Sequence, residues 1–346
     1  MDTKFDYTLD PEGDTVLFLR SPNTLYKHHY PERGTYDNSF GTDQVRVEPP
    51  KPQDTPDPVR FLASSKHLTL ASPIFKRMLS MLWTEGRELG HNRKVTLETT
   101  GWDVDAVRML LLMIHAQPQK LPSRIDTGQL TKLSIVADYY ECRELVTYYA
   151  NTWFKKLLNT PCHYSFHVVT WIWLGYFFRR PKAFKEYTKI WIRDSATPLD
   201  PSYFGLPIPG HIIDALNTVR THAMSSIVSA LHSAREFLSK TSCCTRLCST
   251  VARDRLESEI DGADMSEPTP LLDEVSYALL LPIITLFKHP SADYMPHVYR
   301  FRNPSKADEP RRTTEETSGT RAREIVEMDG PDVWEIEGLE LEEYLG

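Results

Sequence analysis

Strand-type alternation in this chain is confined to three short stretches ahead of residue 100, and helical spacing of apolar residues takes over beyond it. That ordering constrains the fold more than any other feature. Within 13–21, Val16 and Phe18 alternate with Leu17 and Leu19. Within 59–64, Val59, Phe61 and Ala63 share one face, and KVTLET (94–99) alternates as a half-buried strand does. Downstream, Val104, Val107, Leu110, Leu111 and Ile114 fall on one side of a helix. Leu130, Leu133, Ala137 and Tyr140 mark another, and Leu145, Val146, Tyr149, Ala150, Trp153, Phe154 and Leu157 a third. Strands first and helices afterwards define an α+β fold.

Between the second and third strands lies SSKHLTLASPIFKRML (64–79), where serines, a lysine and a histidine stand against large apolar residues. Ser72 followed by Pro73 is a helix start, because the serine oxygen caps free N–H groups and proline is harmless at the first helical position. Ile74, Phe75, Met78, Leu79 and Leu82 recur on one helical face, and 66–70 is long enough for a short helix upstream. Ser64 and Ser65 have His67 two to three residues away, but no neighbouring acid to orient it. A triad assembled from distant residues is the enzymatic alternative, and punctuation between two helices is the favoured reading.

A chain of 346 residues suggests two domains plus some unstructured length. Seven prolines between Pro22 and Pro58 prevent helix and interrupt strand pairing, so 22–58 reads as a long surface insertion. After the GLPIPG turn (205–210), Ile212, Leu216, Val219, Ala223, Ile227, Leu231 and Leu238 trace one long amphipathic helix. The N-terminus, MDTKFDYTLD, carries neither the basic nor the apolar region of a secretory signal. The apolar stretches 168–178 and 275–287 fall short of the roughly 20 residues of a membrane span. Five cysteines, an odd number without an export signal, point to reduced thiols, and the cytoplasm or nucleus is the expected location.

Three constellations invite a chemical reading. CHYSFH places His163 and His167 at i, i+4 beside Cys162, but Tyr164 stands where a zincin carries its glutamate. CCTRLC offers Cys243, Cys244 and Cys248 without a second ligand pair, so free thiols are expected, and no metal or cofactor. RRPKAFKEYTKIWIR aligns Lys182, Lys185, Lys189 and Arg193 on one helix face and Phe184, Tyr187 and Trp191 on another. A solvated outer face is expected over a phosphate- or lipid-binding stripe, so neither nucleic acid nor membrane is an expected partner. Neither a GxGxxG nor a P-loop pattern occurs.

The succession strand, strand, helical hairpin, strand, helices resembles the BTB/POZ domain, particularly its fungal branch. FLASSKHLTLASPIFKRML (61–79) is similar to that family's helical-hairpin signature, with Lys66, His67, Leu70, Ser72, Pro73, Phe75, Met78 and Leu79 in place. VTLETTGWDVDAVRMLLLMIHA resembles its third strand and following helix, and LTKLSIVADYYECRELVTYYANTWFKKL its last helical pair. The resemblance covers 13–158, after an N-terminal segment 1–12. Residues 159–300, with FRRPKAF, GLPIPG and IVSALH, are similar to the all-helical extension usual in this branch.

The resemblance implies a non-enzymatic adaptor or scaffold whose partners are other proteins. It places Lys66 and His67 at a strand-to-helix corner, with His67 hydrogen-bonded to neighbouring backbone. Family members self-associate, serve cullin-type ubiquitin ligases or form part of transcription regulators. Swapped dimers use an extra N-terminal helix and strand, whereas here only about a dozen residues, with Pro11 and Gly13, precede the first strand. Cullin binders often carry a hydrophobic-x-Glu element, and 114–125 contains no glutamate. Self-association stays open although those swap elements are missing, and cullin binding is not expected. The rival function is a DNA-associated regulator that uses the basic helix 182–193 and the acidic tail.

That tail is sharply marked. Beyond Arg323 there are nine acidic residues and no lysine or arginine, so the net charge of −7 becomes about +2 for the rest of the chain. Residues 301–346 are expected to be disordered. PDVWEIEGLELEEYL (331–345) nevertheless carries large apolar groups, with 334, 338, 341 and 345 on one helix face. Trp334, Leu341 and Leu345 are candidate partner-binding residues, and docking of the segment onto the protein's own body is the competing reading.

Overall fold

The computed structural model describes residues 5–24, 56–80, 94–157, 167–195, 197–200, 205–240, 254, 257–258 and 338–345. Among the described residues it is a mixed α and β fold with a small four-stranded sheet. The chain divides into two units.

The first unit takes in 1–163 together with 173–180 and 201–207. Its strands are β1 (Tyr7–Thr8), β2 (Thr15–Arg20), β3 (Val59–Ala63) and β4 (Val95–Thr100). They lie in the order β1-β3-β2-β4, with β2 antiparallel to β3 and parallel to β4. Registration places Leu17 opposite both Phe61 and Leu97. All three are buried, forming one apolar row across the inner face. The two-residue β1 is too short for a periodic signal and was not expected. It runs parallel to β3 and stacks Tyr7 on Phe61, ring centroids 5.1 Å apart.

Two short helices follow β3, α1 (Ser65–Ala71) and α2 (Pro73–Met78). Ser72 caps α2 by accepting the Phe75 N–H at 3.1 Å, with Pro73 at the first helical position. The helix α3 (Val104–Ile114) starts at Asp103, which accepts the Ala106 N–H at 3.0 Å. It was expected to be aliphatic on one side, yet it is buried almost all round, as a central core helix must be. A full capping box, Asp126 with Gln129, opens α4 (Thr127–Tyr139), and α5 (Arg143–Leu157) follows after a tight turn. The turn needs the left-handed backbone of Glu141, φ 54°. The second half of α6 (His167–Phe177) belongs to this unit, where Trp173 Nε1 donates to Ser134 Oγ at 2.8 Å.

The second unit contains α7 (Pro181–Asp194) and α8 (Gly210–Lys240). Trp171 stacks on Tyr187 at 5.3 Å between centroids. The buried stripe of α8 runs through Ile212, Leu216, Arg220, Met224 and Val228. It shares Ile212 and Leu216 with the expected line and departs from it at Val219, which is 36% exposed, while the side chains of Ile227, Leu231 and Leu238 lie outside the described residues. Arg220 holds a core position because its Nε donates to the Ser195 carbonyl at 3.0 Å, an anchor that an apolar-spacing rule cannot register.

Among the described residues no helix is long and apolar enough to cross a membrane. Most of the proline-rich insertion (25–55), Leu82, Cys162, His163, Cys243, Cys244, Cys248 and Trp334 lie outside the described residues.

Candidate functional site

The polar cluster at the head of the hairpin is held by residues far away in sequence. Asp14, just before β2, accepts both the amide (2.7 Å) and the hydroxyl (2.6 Å) of Ser65. Burial works to raise the Asp14 pKa, but the Ser65 hydroxyl and amide outweigh it and the carboxyl lies below its ordinary value. Ser64 N–H donates to Nε2 of His115 at 3.0 Å, and His115 Nδ1 lies 2.8 Å from the Leu111 carbonyl. An amide must donate, so Nε2 is the acceptor, Nδ1 carries the proton, and the imidazole is neutral. Burial holds its pKa below the ordinary value, with the adjacent His67 acting in the same direction.

This geometry corrects one expectation. The backbone bond assigned to His67 is made by His115, while His67 is exposed and stacks on the His115 ring at 5.0 Å. Ser65 Oγ donates to the Asp14 carboxylate, and both His115 nitrogens are engaged by backbone, so neither Ser64 nor Ser65 is paired with the His115 ring through its hydroxyl.

The next junction joins the hairpin to the α4–α5 turn. Ser72 Oγ donates to the Tyr140 carbonyl at 2.6 Å, and the Phe75 ring stacks on Tyr140 at 4.4 Å. Burial pushes the Tyr140 hydroxyl up to about 12 and the Cys142 thiol up to about 11. Cys142 lies 3.6 Å from the Ala71 carbonyl and 3.4 Å from that of Tyr140, so it is a packed thiol rather than an activated one.

Above this junction an open groove of about 650 Å³ is lined by Leu70, Ala71, Pro73, Glu141, Leu145 and Arg179, among others. A second recess of about 330 Å³, with Tyr148, Phe177 and Phe178, shares Arg143, Glu144 and Arg179 with it. Leu70 is 89% exposed and Tyr148 77%, large apolar surface that the unit itself does not cover. Arg143 is fixed over Tyr176 and Phe177, 5.4 and 5.1 Å from the ring centroids, and paired with Asp138 at 3.2 Å. Arg179 is exposed, and its backbone is left-handed, φ 49°.

The remaining signature residues divide by exposure. Lys66 and Pro73 are exposed, Met78 is half-buried, and Phe75 and Leu79 are buried. Sequence reasoning missed Asp14, His115 and Arg179, because nothing local to any of them signals a partner.

In the second unit the basic face of α7 points outward, with Lys182 and Lys189 exposed and Arg193 paired with Asp194 at 2.6 Å. Lys185 is paired with Glu340 of the C-terminal segment. The disorder expected across 301–346 is corrected at its end, where 338–345 packs against α7 and closes with a single 3-10 turn, Leu341–Tyr344. The buried pair is Leu339 and Leu341, an extended i, i+2 spacing rather than the expected helix face. Leu345 is half-buried. Leu339 N–H donates to Thr188 Oγ1 at 2.9 Å, and the Tyr344 ring lies parallel to His211 at 5.9 Å. Among the described residues no cluster of three or more metal-ligating side chains occurs.

Compared with family models, with curated proteins and with solved structures, the chain matches none.

Proposed function

We propose that this chain is a protein-interaction module of the BTB/POZ type, an adaptor or scaffold working in the cytoplasm or nucleus. The observation that carries the reading is the groove beside the helical hairpin. It exposes Leu70 and Tyr148, is lined further by buried Phe177 and Phe178, and carries Arg143, Arg179, Glu141 and Glu144 at its edge, with Arg143 fixed by Asp138. An exposed apolar centre with a charged rim is how protein partners are recognised. With the two-residue β1 set aside, the element order supports the resemblance: β2 and β3, two short helices, β4, then helices. A DNA-associated regulator is less favoured, because Lys185 of the basic helix is already engaged by Glu340.

A photo-crosslinking amino acid at position 70 tests the reading. It should capture a protein partner that the same probe at exposed Thr96 does not, and L70D combined with Y148A should abolish the complex without moving the melt. Identical capture at both positions would remove the groove from consideration. Salt-dependent binding of duplex DNA by the purified chain would favour the regulator instead.

A further inference from the structure

The contact between 338–345 and α7 has the form of a peptide in a binding site. Its register is set by close approach: a Cβ at Gly338 would overlap the Lys185 carbonyl and come within 2.8 Å of Thr188 Oγ1. The next residue, Leu339, donates its N–H to Thr188 Oγ1 at 2.9 Å. The threonine hydroxyl is free to accept because its own proton goes to the helix, with the Phe184 and Lys185 carbonyls at 2.8 and 3.0 Å. Glu340 then pairs with Lys185, Leu341 is buried, and Tyr344 lies against Phe184 and His211. Each feature selects a residue type: no side chain at the first position, apolar at the second and fourth, acidic at the third, aromatic at the seventh.

We infer that the face of α7 made by Phe184, Lys185 and Thr188, with His211 of α8, is a binding site for a short acidic peptide of Gly-Leu-Glu-Leu pattern, and that the chain's own C-terminal segment is its resident, exchangeable ligand. Two buried leucines, one ion pair and one hydrogen bond make a small contact. Such a contact holds a separate peptide weakly and a tethered one well, because the tether supplies a high effective concentration. The exposed Lys182 and Lys189 on the same helix attract further acidic residues, so binding weakens as salt rises. The inference rests on the second unit alone and stands or falls apart from the groove beside Leu70.

The test uses the full chain and a fluorescein-labelled synthetic peptide of residues 331–346. Leu339→Asp with Leu341→Asp opens the site, and this variant should bind the peptide saturably by anisotropy. Wild type should bind it at least about tenfold more weakly, since the tethered segment competes. The same peptide carrying Gly338→Ala should not bind. An opened variant with wild-type circular dichroism and a cooperative melt that binds no peptide would overturn the inference. Equal binding by wild type and opened variant would do so too. If the opened variant does not fold, wild type alone decides by hydrogen exchange read by mass spectrometry. Excess unlabelled peptide should speed exchange in 339–345 several-fold, and unchanged exchange at peptide concentrations up to the millimolar range would overturn it.

Discussion

The backbone N–H of Ser64 donates to Nε2 of His115 at 3.0 Å, tying the start of the helical hairpin to the end of α3 across 51 residues of chain. The bond requires neutral imidazole, since a proton on Nε2 would face the amide hydrogen. The pKa of His115 in the fold lies below its ordinary 6.5, chiefly through burial; the Leu111 carbonyl opposes the shift, His67 adds to it, and Asp10 opposes it.

The unfolded chain therefore takes up this proton more readily than the folded one. The stabilisation is complete above pH 6.5 and is lost as pH falls through the lower folded value. Melting temperature should drop between pH 7 and pH 5 more steeply for wild type than for His115→Gln. Parallel slopes for the two proteins would exclude this role for His115.

Phe75 is fully buried and stacks on Tyr140 at 4.4 Å. Phe75→Ala should cost about 3–5 kcal/mol, while Phe75→Leu keeps most of the volume and should cost about 1–2 kcal/mol. Denaturant melts of the two variants measure the difference, and a Phe75→Ala midpoint equal to wild type would refute the placement.

Ser72 serves two elements with one hydroxyl, accepting from Phe75 N–H at 3.1 Å and donating to the Tyr140 carbonyl at 2.6 Å. Ser72→Ala leaves the buried Tyr140 carbonyl only the weak Cys142 thiol donor at 3.4 Å and uncaps α2, so it should cost about 2–3 kcal/mol, more than a cap alone. Ser72→Thr retains both bonds and should recover most of that loss. Equal destabilisation by alanine and threonine would mean that shape rather than hydrogen bonding matters there.

Cys142 is 2% exposed with its thiol pushed up to about 11. Iodoacetamide at pH 8 should leave it unmodified in the native protein and alkylate it fully in denaturant, as read by peptide mass mapping. Rapid native-state labelling would show that the junction opens.

The features that the amino-acid order determined on its own are the local ones. Leu17 and Leu19 alternate with Val16 and Phe18, Ser72-Pro73 starts a helix, and Phe75 lies on a buried face, because each signal is read over a few residues with a fixed backbone period. The same rule placed Ile212 and Leu216 on the stripe of α8 but continued it to Val219, since it counts apolar residues and Arg220 is not one. Tertiary structure alone decided that His115 rather than His67 holds the hairpin corner, that Asp14 receives Ser65, and that Arg143 and Arg179 share a groove with Leu70. In each case the partners lie tens of residues apart, and their pairing depends on where whole helices come to rest. The C-terminal segment shows the division most directly. Its alternating leucines and glutamates allowed a foreign partner or the protein's own body. What settled the contact described here was a threonine hydroxyl and a lysine carbonyl on α7, placed where only glycine could approach and a leucine amide could donate.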